Sequence, residues 1–241
     1  GRDFDGSSGL DILDATAFTG PLTINAGAGT LFDGSNTDNV YDIEKFMGGS
    51  GTDTFIGDNN VNYFYGGGGN DTFFMSDGND TFKGEGGNDT YDAFASAAII
   101  TVNLGLGTVS DGTYTDTLSD PADIENFITG SGADYFIMSA SHINTAYNLD
   151  GNGGTDTLSY SALGAANYID INFSGGADTV TINGGVADNV NDIESFVGTQ
   201  GADAFHAFDG DGNLTLDGHT GNDTYDGSGL AGAITVDLST G

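Results

Sequence analysis

Five consecutive nine-residue blocks, with no residue left over between them, constrain the fold of this chain more than any other feature. They cover residues 48–92 and read GGSGTDTFI, GDNNVNYFY, GGGGNDTFF, MSDGNDTFK and GEGGNDTYD. Each block has Gly or Asn at its fourth place and Asp or Asn at its sixth. An aromatic residue fills every eighth place: Phe55, Phe64, Phe73, Phe82 and Tyr91. Such a strict period indicates one structural unit repeated along the chain.

The chemistry of each block predicts a tight turn followed by a short strand. Glycine adopts positive φ at little cost, so the chain can turn sharply and aim carbonyl oxygens inward. The Asp at the sixth place adds a carboxylate, and hard oxygen ligands suit Ca²⁺. The three residues that follow form a strand whose central side chain points inward. Two blocks complete a coil, so turns on the same edge recur every eighteen residues.

This spacing predicts metal sites between stacked turns. Asp53, Asp71 and Asp89 fall on one edge, where the pairs Asp53/Asp71 and Asp71/Asp89 are the best sites. Asn62 and Asp80 fall on the other edge, where less charge predicts weaker binding. The fourth-place glycines that shape the charged turns are Gly51, Gly69 and Gly87.

Further candidate ligands lie outside the five blocks. Asp134 and Asp156, like Asp203 and Asp223, stack if insertions of four and two residues bulge from the intervening coil. Asp11 has the right local pattern but no visible upstream partner. Three D-I-E-x-F segments put a glutamate at the ligand place, either as a cap on the metal row or as a strand residue: Glu44, Glu125 and Glu194.

The blocks follow the form G-G-x-G-x-D-x-U-x, with U a large apolar residue. In this pattern the chain resembles the RTX family, the glycine- and aspartate-rich repeats of secreted bacterial proteins. The resemblance implies an all-β fold, a right-handed parallel β-roll or β-helix solenoid with glycine-rich turns that bind several Ca²⁺ ions. It also implies export through a type I secretion channel, and so a secreted or cell-surface location.

The blocks are nested in a longer internal repeat, marked by Ile43, Ile124 and Ile193 of the D-I-E-x-F segments. We predict one continuous solenoid over residues 1–241, without a convincing helix. Its modules are 1–38 (the end of one module and a connection), 39–107 (the best array), 108–175 (a degenerate second module) and 176–241 (a truncated third). Alternating strands are predicted at 22–25, 100–104, 169–173 and 234–238. The opening residues read as those of an excised fragment.

Composition sets the conditions under which such a chain can fold. There are 36 acidic residues, a net charge of −33, and only three basic residues: Arg2, Lys45 and Lys83. Self-repulsion opposes compaction, and 42 glycines add entropy to the unfolded chain. Disorder would be the simplest interpretation, but 16 Phe and 10 Tyr, many of them in register, argue against it. We therefore expect a chain that is unfolded without metal and folded with it.

The same composition excludes several classes of function. An acidic surface disfavours nucleic acid and anionic membranes, and no apolar run is long enough for membrane insertion. Cysteine is absent, so neither disulfides nor thiolate sites are expected. No catalytic motif is recognisable, and the three histidines are scattered: His142, His206 and His219. We do not expect an enzyme.

The sequence favours a non-catalytic, calcium-dependent structural module of a larger secreted or cell-surface bacterial protein. One alternative is an adhesin or surface-layer segment that binds a carbohydrate, a cell surface or its own copies. Its only support is large apolar residues at ninth places, which should face outward: Ile56, Tyr65 and Phe74. Another is an accessory C-terminal region of a secreted hydrolase or epimerase.

Overall fold

The protein is all-β. The computed structural model describes residues 1–173, 178–208, 214–229 and 235–237. Within those ranges the helical segments are two single 3₁₀ turns, Pro121–Asp123 and Ala140–His142. No helix in this part of the chain is long and apolar enough to cross a membrane. The chain divides into two compact units: unit 1 is Gly1–Ala93 with Gly107–Phe127, and unit 2 is Phe94–Leu106 with Ile128–Gly241.

The strands are short and evenly spaced, as expected for a chain with glycine-rich turns every few residues. In chain order they are β1 (Asp3–Asp5), β2 (Ile12–Asp14), β3 (Thr23–Asn25), β4 (Thr30–Phe32), β5 (Thr37–Tyr41), β6 (Lys45–Met47), β7 (Thr54–Ile56), β8 (Tyr63–Gly68), β9 (Thr72–Phe74), β10 (Thr81–Gly86), β11 (Thr90–Asp92), β12 (Thr101–Asn103), β13 (Thr108–Ser110), β14 (Thr115–Leu118), β15 (Asn126–Ile128), β16 (Tyr135–Ile137), β17 (Asn148–Asp150), β18 (Thr157–Ser159), β19 (Ile169–Asn172), β20 (Asp178–Ile182), β21 (Ala187–Asn191), β22 (Ser195–Val197), β23 (Ala204–Phe208), β24 (Thr215–Asp217), β25 (Thr224–Gly229) and β26 (Thr235–Asp237).

Unit 1 contains two sheets, and the chain alternates between them from β6 to β11. One sheet has the spatial order β1-β5-β4-β3-β7-β9-β11-β15, and the other has the order β2-β6-β8-β10-β14-β13. The strands that carry the nine-residue blocks pair in parallel with partners eighteen residues away; Thr54, Thr72 and Thr90 lie in register. The predicted spacing of turns on one edge is therefore present.

The eighth-place aromatics of the blocks form the core of unit 1. Phe46, Phe64 and Phe82 stack with ring centroids 5.5 and 5.6 Å apart, and Phe55 stacks on Phe73 at 5.1 Å. All five side chains are fully buried. Offset stacking at such distances adds about 0.5–1.5 kcal/mol per pair to the free energy of burial.

Antiparallel pairs of strands interrupt the parallel pattern, and the nine-residue period does not predict them. In unit 1 the connection predicted within residues 1–38 contains β4, which pairs antiparallel with β3 and β5. Asx turns explain the reversal: Asp33 Oδ1 accepts hydrogen bonds from the backbone N–H groups of Ser35 and Asn36, and Gly34 has a φ of +86°. Aspartate and glycine in this local setting fold the chain back instead of carrying it to the opposite sheet.

Unit 2 has the same design. Its sheets have the orders β12-β16-β18-β22-β24-β26 and β17-β21-β20-β19-β23-β25. The first sheet is parallel throughout, with Phe136, Leu158, Phe196 and Leu216 in register and buried. The second contains the antiparallel series β19, β20 and β21, the counterpart of β3, β4 and β5.

Candidate functional site

The aspartates of the sheet that contains β7, β9 and β11 stack directly upon one another. Asp53, Asp71 and Asp89 each precede one of these strands, and all three are buried. Asp71 Oδ1 accepts a hydrogen bond from the backbone N–H of Asp53 at 2.7 Å, and Asp89 Oδ1 accepts one from Asp71 at 2.7 Å. Asp53 Oδ1 accepts from the N–H of Leu22 at 2.8 Å. We call this series, in which each carboxylate takes the N–H of the preceding turn, the Asp71 row.

A second series, the Asp80 row, lies beside the other sheet of unit 1. Asp80 Oδ1 accepts from the backbone N–H of Asn62 at 2.8 Å, and both side chains are buried. Asn62 and Asp80 are thus together on the edge opposite the Asp71 row, as the eighteen-residue spacing predicts.

Both interrupted pairs of unit 2 also stack. Asp156 Oδ1 accepts from the N–H of Asp134 at 2.7 Å, and Asp223 Oδ1 accepts from the N–H of Asp203 at 2.9 Å. The chain between Asp134 and Asp156 contains the 3₁₀ turn Ala140–His142, and the strands that follow these two aspartates remain in register, with Phe136 opposite Leu158. The coil between Asp203 and Asp223 includes residues 209–213, which lie outside the described residues. We call these series the Asp156 row and the Asp203 row.

The hydrogen-bond partner of Asp11 lies downstream in the sequence, where an upstream partner was sought. Its backbone N–H donates to Glu44 Oε2 at 3.0 Å. Glu44 is one of the three D-I-E-x-F glutamates, and the other two accept in the same way: Glu125 Oε2 from the N–H of Asp89, and Glu194 Oε2 from the N–H of Asp156, both at 2.8 Å.

The fourth-place glycines are required by the close approach of neighbouring turns. Gly69 and Gly87 have φ of +117° and +146°, a region that side chains rarely adopt. A Cβ on Gly69 would overlap the carbonyl oxygen of Gly51, and one on Gly87 would overlap that of Gly69. At Gly51 the overlapping atom would be the carbonyl oxygen of Gly20. Each of the three predicted glycines therefore leaves room for the backbone carbonyl oxygen of a neighbouring turn.

First-place glycines have a separate role, which sequence reasoning missed. A Cβ on Gly66 would overlap Asp71 Oδ2, and the same holds for Gly84 with Asp89 and for Gly198 with Asp203. The second carboxylate oxygen therefore packs against the glycine five residues before it. The G-x-x-x-x-D spacing, which three of the five blocks contain, is the signal that could have revealed this contact.

Three other buried aspartates accept a backbone N–H through Oδ1 in the same way and were also missed: Asp38, Asp116 and Asp188. Asp116 Oδ1 accepts from the N–H of Asp80 at 2.9 Å, so it extends the Asp80 row. Asp188 Oδ1 accepts from the N–H of Tyr147 at 3.0 Å. Each of the three has a core Val or Leu two residues later, the D-x-U spacing of the blocks, and this spacing could have identified them.

Tyrosine hydroxyls also reach two of these added aspartates. The Tyr91 hydroxyl donates to Asp116 Oδ2, and the Tyr160 hydroxyl donates to Asp188 Oδ2 at 3.3 Å. Burial raises the pKa of both aspartates to about 7, while the tyrosine hydrogen bond opposes that rise. Both oxygens of these two carboxylates thus have donors.

In the rows themselves, burial makes the ionised carboxylates costly. Burial raises the pKa of Asp71 to about 7, the hydrogen bond from Asp53 opposes the rise, and the charges of Asp89 and Asp53 add to it. Burial likewise raises the pKa of Asp80, Asp89 and Asp156 to about 6. The pKa values of Asp53 and Asp203 are raised for the same reason.

The basic residues do not compensate these charges. Arg2 pairs with Asp38 at 3.2 Å and Lys83 with Glu85 at 3.2 Å. Lys45 lies over the ring of Tyr65, with its Nζ 4.2 Å from the ring centroid. No ion pair of the described residues reaches the Asp71, Asp156 or Asp203 rows.

Unpartnered oxygens in the rows provide a test of whether a cation fits. Asp71 Oδ2, Asp134 Oδ2 and Asp156 Oδ2 are buried without a hydrogen-bond partner, as is Asp11 Oδ2. Buried carboxylate oxygens are normally satisfied by a donor or a metal. No group of three or more His, Cys, Asp or Glu side chains able to hold a metal occurs among the described residues. A cation here would therefore need backbone carbonyls besides two carboxylates. The carbonyl oxygen of Gly84 lies next to Asp71 Oδ2, since a Cβ on Gly66 would overlap both.

The large residues at ninth places differ in exposure. Ile56 and Tyr65 are half-buried, whereas Phe74 is 37% exposed. They do not form a continuous bare surface, because Lys45 covers the ring of Tyr65.

No protein-family model matches the chain, and none of the curated proteins is significantly similar to it.

Proposed function

We propose that this chain is a non-catalytic structural module that folds into a calcium-binding β-roll of the RTX kind. One observation carries the proposal: buried carboxylates are stacked in turns whose glycine carbonyl oxygens lie against the neighbouring turn, and several of the carboxylate oxygens have no donor. Parallel strands that alternate between two sheets support the coiled path that such a roll requires.

Calcium fits these rows better than other common metals do. Ca²⁺ takes 6–8 oxygen ligands in flexible geometry, whereas Mg²⁺ demands near-ideal octahedral geometry and retains several waters. Zinc prefers nitrogen and sulfur ligands; the chain has no cysteine and only three histidines. Each interval between successive carboxylates of a row combines two acidic groups with carbonyls of the adjacent glycine turns. Because the chain contains several such intervals, we propose that each chain binds several Ca²⁺ ions.

The charge of the chain makes calcium a switch for folding. With a net charge of −33, burial of the rows is costly unless a cation neutralises them. Extracellular calcium modules bind with dissociation constants of about 10⁻⁴–10⁻³ M, so the chain would stay unfolded in calcium-poor cytosol and fold outside. A single site at one hundred times its dissociation constant adds about 2.7 kcal/mol. We therefore propose a secreted or cell-surface location.

Far-UV circular dichroism of residues 1–241 during a calcium titration tests the proposal. At pH 7.5 we expect a disordered spectrum in chelator, a cooperative rise in β signal at millimolar Ca²⁺, and little response to the same concentration of Mg²⁺. A folded spectrum in chelator that millimolar Ca²⁺ leaves unchanged would refute the proposed function.

A further inference from the structure

Glutamate has a restricted distribution in this chain. There are four glutamates, of which Glu44, Glu125 and Glu194 stand in D-I-E-x-F segments, while Glu85 is exposed. The Oε2 atom of each D-I-E-x-F glutamate accepts the backbone N–H of an aspartate one coil earlier: Asp11, Asp89 and Asp156, respectively. Elsewhere in the rows the next aspartate accepts this bond through Oδ1. Each glutamate carboxylate thus takes the place of the next aspartate.

The row ends at the glutamate because its backbone is bonded differently. In the Asp156 row the N–H of Glu194 donates to the carbonyl of Asp156 at 3.3 Å, and in the Asp71 row the N–H of Glu125 donates to the carbonyl of Asp89 at 3.2 Å. Aspartates within a row instead donate to a side chain of the following coil, as Asp53 does to Asp71. A glutamate therefore completes the last interval of its row and does not open another.

The turn before the glutamate explains why the longer side chain is used. Asp192 and Asp42, each two residues before a row-ending glutamate, have φ of about +50° without being glycine. In the remaining D-I-E-x-F segment, a 3₁₀ turn, Pro121–Asp123, precedes Glu125. These turns lack the glycine pattern of the blocks, and the extra methylene still brings the carboxylate to the N–H of the last aspartate.

At two of the three glutamates, Glu194 and Glu44, a separate observation points to a ligand. Asp156 lies between Asp134 and Glu194 in its row, is fully buried, and has no donor for Oδ2. Oδ2 of Asp11, the residue that contacts Glu44, is likewise buried and unpartnered. Negative charge in the adjoining glutamate makes a cation, not a further hydrogen-bond donor group of the protein, the chemically matched partner for these oxygens.

We infer that Glu44, Glu125 and Glu194 are the end ligands of the metal rows, each contributing its carboxylate to one additional Ca²⁺ between itself and the last aspartate. This inference rests on the proposed function. It goes beyond the nonapeptide pattern, since the D-I-E-x-F segments contain no glycine turn. It also assigns the Asp156 row two intervals, Asp134/Asp156 and Asp156/Glu194, instead of one.

The test uses Glu→Gln substitutions in residues 1–241, because glutamine keeps the acceptor for the aspartate N–H and removes only the charge. Bound calcium is counted by isothermal titration calorimetry and by elemental analysis of the saturated protein for wild type, Glu125→Gln and Glu194→Gln. Glu85→Gln removes one charge from an exposed position and is the matched control. We expect each row variant to lose about one ion per chain and to require a higher calcium concentration for folding, with the control unchanged.

Each outcome has a distinct meaning. A wild-type chain that binds no calcium refutes the proposed function itself. A wild type that binds calcium, with row variants of unchanged stoichiometry and affinity, overturns the inference alone. For a variant that does not fold at any calcium concentration, anomalous X-ray diffraction from wild-type crystals grown in calcium is decisive: a calcium peak between Asp156 and Glu194 supports the inference, and the absence of a peak there overturns it.

Discussion

At the scale of single residues, glycine and aspartate have complementary roles in each turn. Glycine at the first place leaves room for the second carboxylate oxygen, and glycine at the fourth place leaves room for the carbonyl of the neighbouring coil. The aspartate then uses Oδ1 to bind the preceding turn and leaves Oδ2 for another partner, as at Asp71. Both residue types are therefore needed in a fixed spacing.

Gly69 and its neighbour Gly68 test the requirement for space at the fourth place. Gly69→Ala places a Cβ against the carbonyl oxygen of Gly51 at a φ of +117°, so we expect a loss of at least about 2 kcal/mol in the free energy of unfolding. Gly68→Ala meets its nearest atom at 3.8 Å, and we expect a change within about 0.5 kcal/mol. Urea unfolding in saturating calcium measures both. Equal losses in the two variants would show that the turn does not depend on close carbonyl packing.

At the scale of the strand, the x-U-x segments provide the apolar core between the turns. Each contributes one inward aromatic or aliphatic side chain, which stacks on its equivalent eighteen residues away, as Phe73 does on Phe55. Because a three-residue strand buries so little by itself, its stability depends on its neighbours in the sheet, as in other repeat proteins.

Phe73 and Phe74 are adjacent in β9 and differ mainly in the direction of their side chains. Phe73 is fully buried, whereas Phe74 is 37% exposed. We expect Phe73→Ala to cost about 3–5 kcal/mol in the calcium-loaded protein, and Phe74→Ala to cost less than about 1 kcal/mol. Chemical unfolding in saturating calcium gives both values. A larger loss for Phe74→Ala than for Phe73→Ala would contradict the assignment of the eighth place to the core.

The elements differ in how far the sequence could predict them. The five blocks predict the parallel strands and the pairs Asp53/Asp71 and Asp71/Asp89, because an unbroken period fixes both the turn and the inward side chain. The antiparallel strands β4 and β20 could not be predicted from that period, since local Asx turns and glycines decide whether the chain reverses. Asp116 was missed because it follows such a reversal, although it carries the same D-x-U spacing.

At the scale of the whole molecule, the buried carboxylates make stability depend on proton binding. Asp71 has a pKa of about 7, and Asp80, Asp89 and Asp156 have pKa values of about 6, compared with about 3.9 for an unfolded aspartate. In the absence of a cation the folded chain therefore binds protons more tightly than the unfolded chain does.

This difference predicts opposite pH dependences with and without calcium. In chelator, the stabilising effect of these protons is complete below about pH 4 and is lost as the pH rises through 6 to 7, so the folded fraction should fall from pH 5 to pH 7.5. In the presence of calcium, protons compete for the same carboxylates, so the apparent calcium affinity should weaken as the pH falls from 7.5 to 5. Circular dichroism across this range, with chelator and with calcium, measures both. A folded fraction in chelator that rises from pH 5 to pH 7.5 would contradict the raised pKa values of the buried aspartates.

Anomalous X-ray diffraction from crystals grown in calcium tests most directly whether cations bind where we propose. Anomalous peaks should lie between Asp53 and Asp71 and between Asp71 and Asp89, about 2.3–2.6 Å from the coordinating oxygens, as is usual for Ca²⁺. A well-refined crystal structure at saturating calcium without a peak beside Asp71, or with its carboxylate in open water, would show that cations do not hold these turns together.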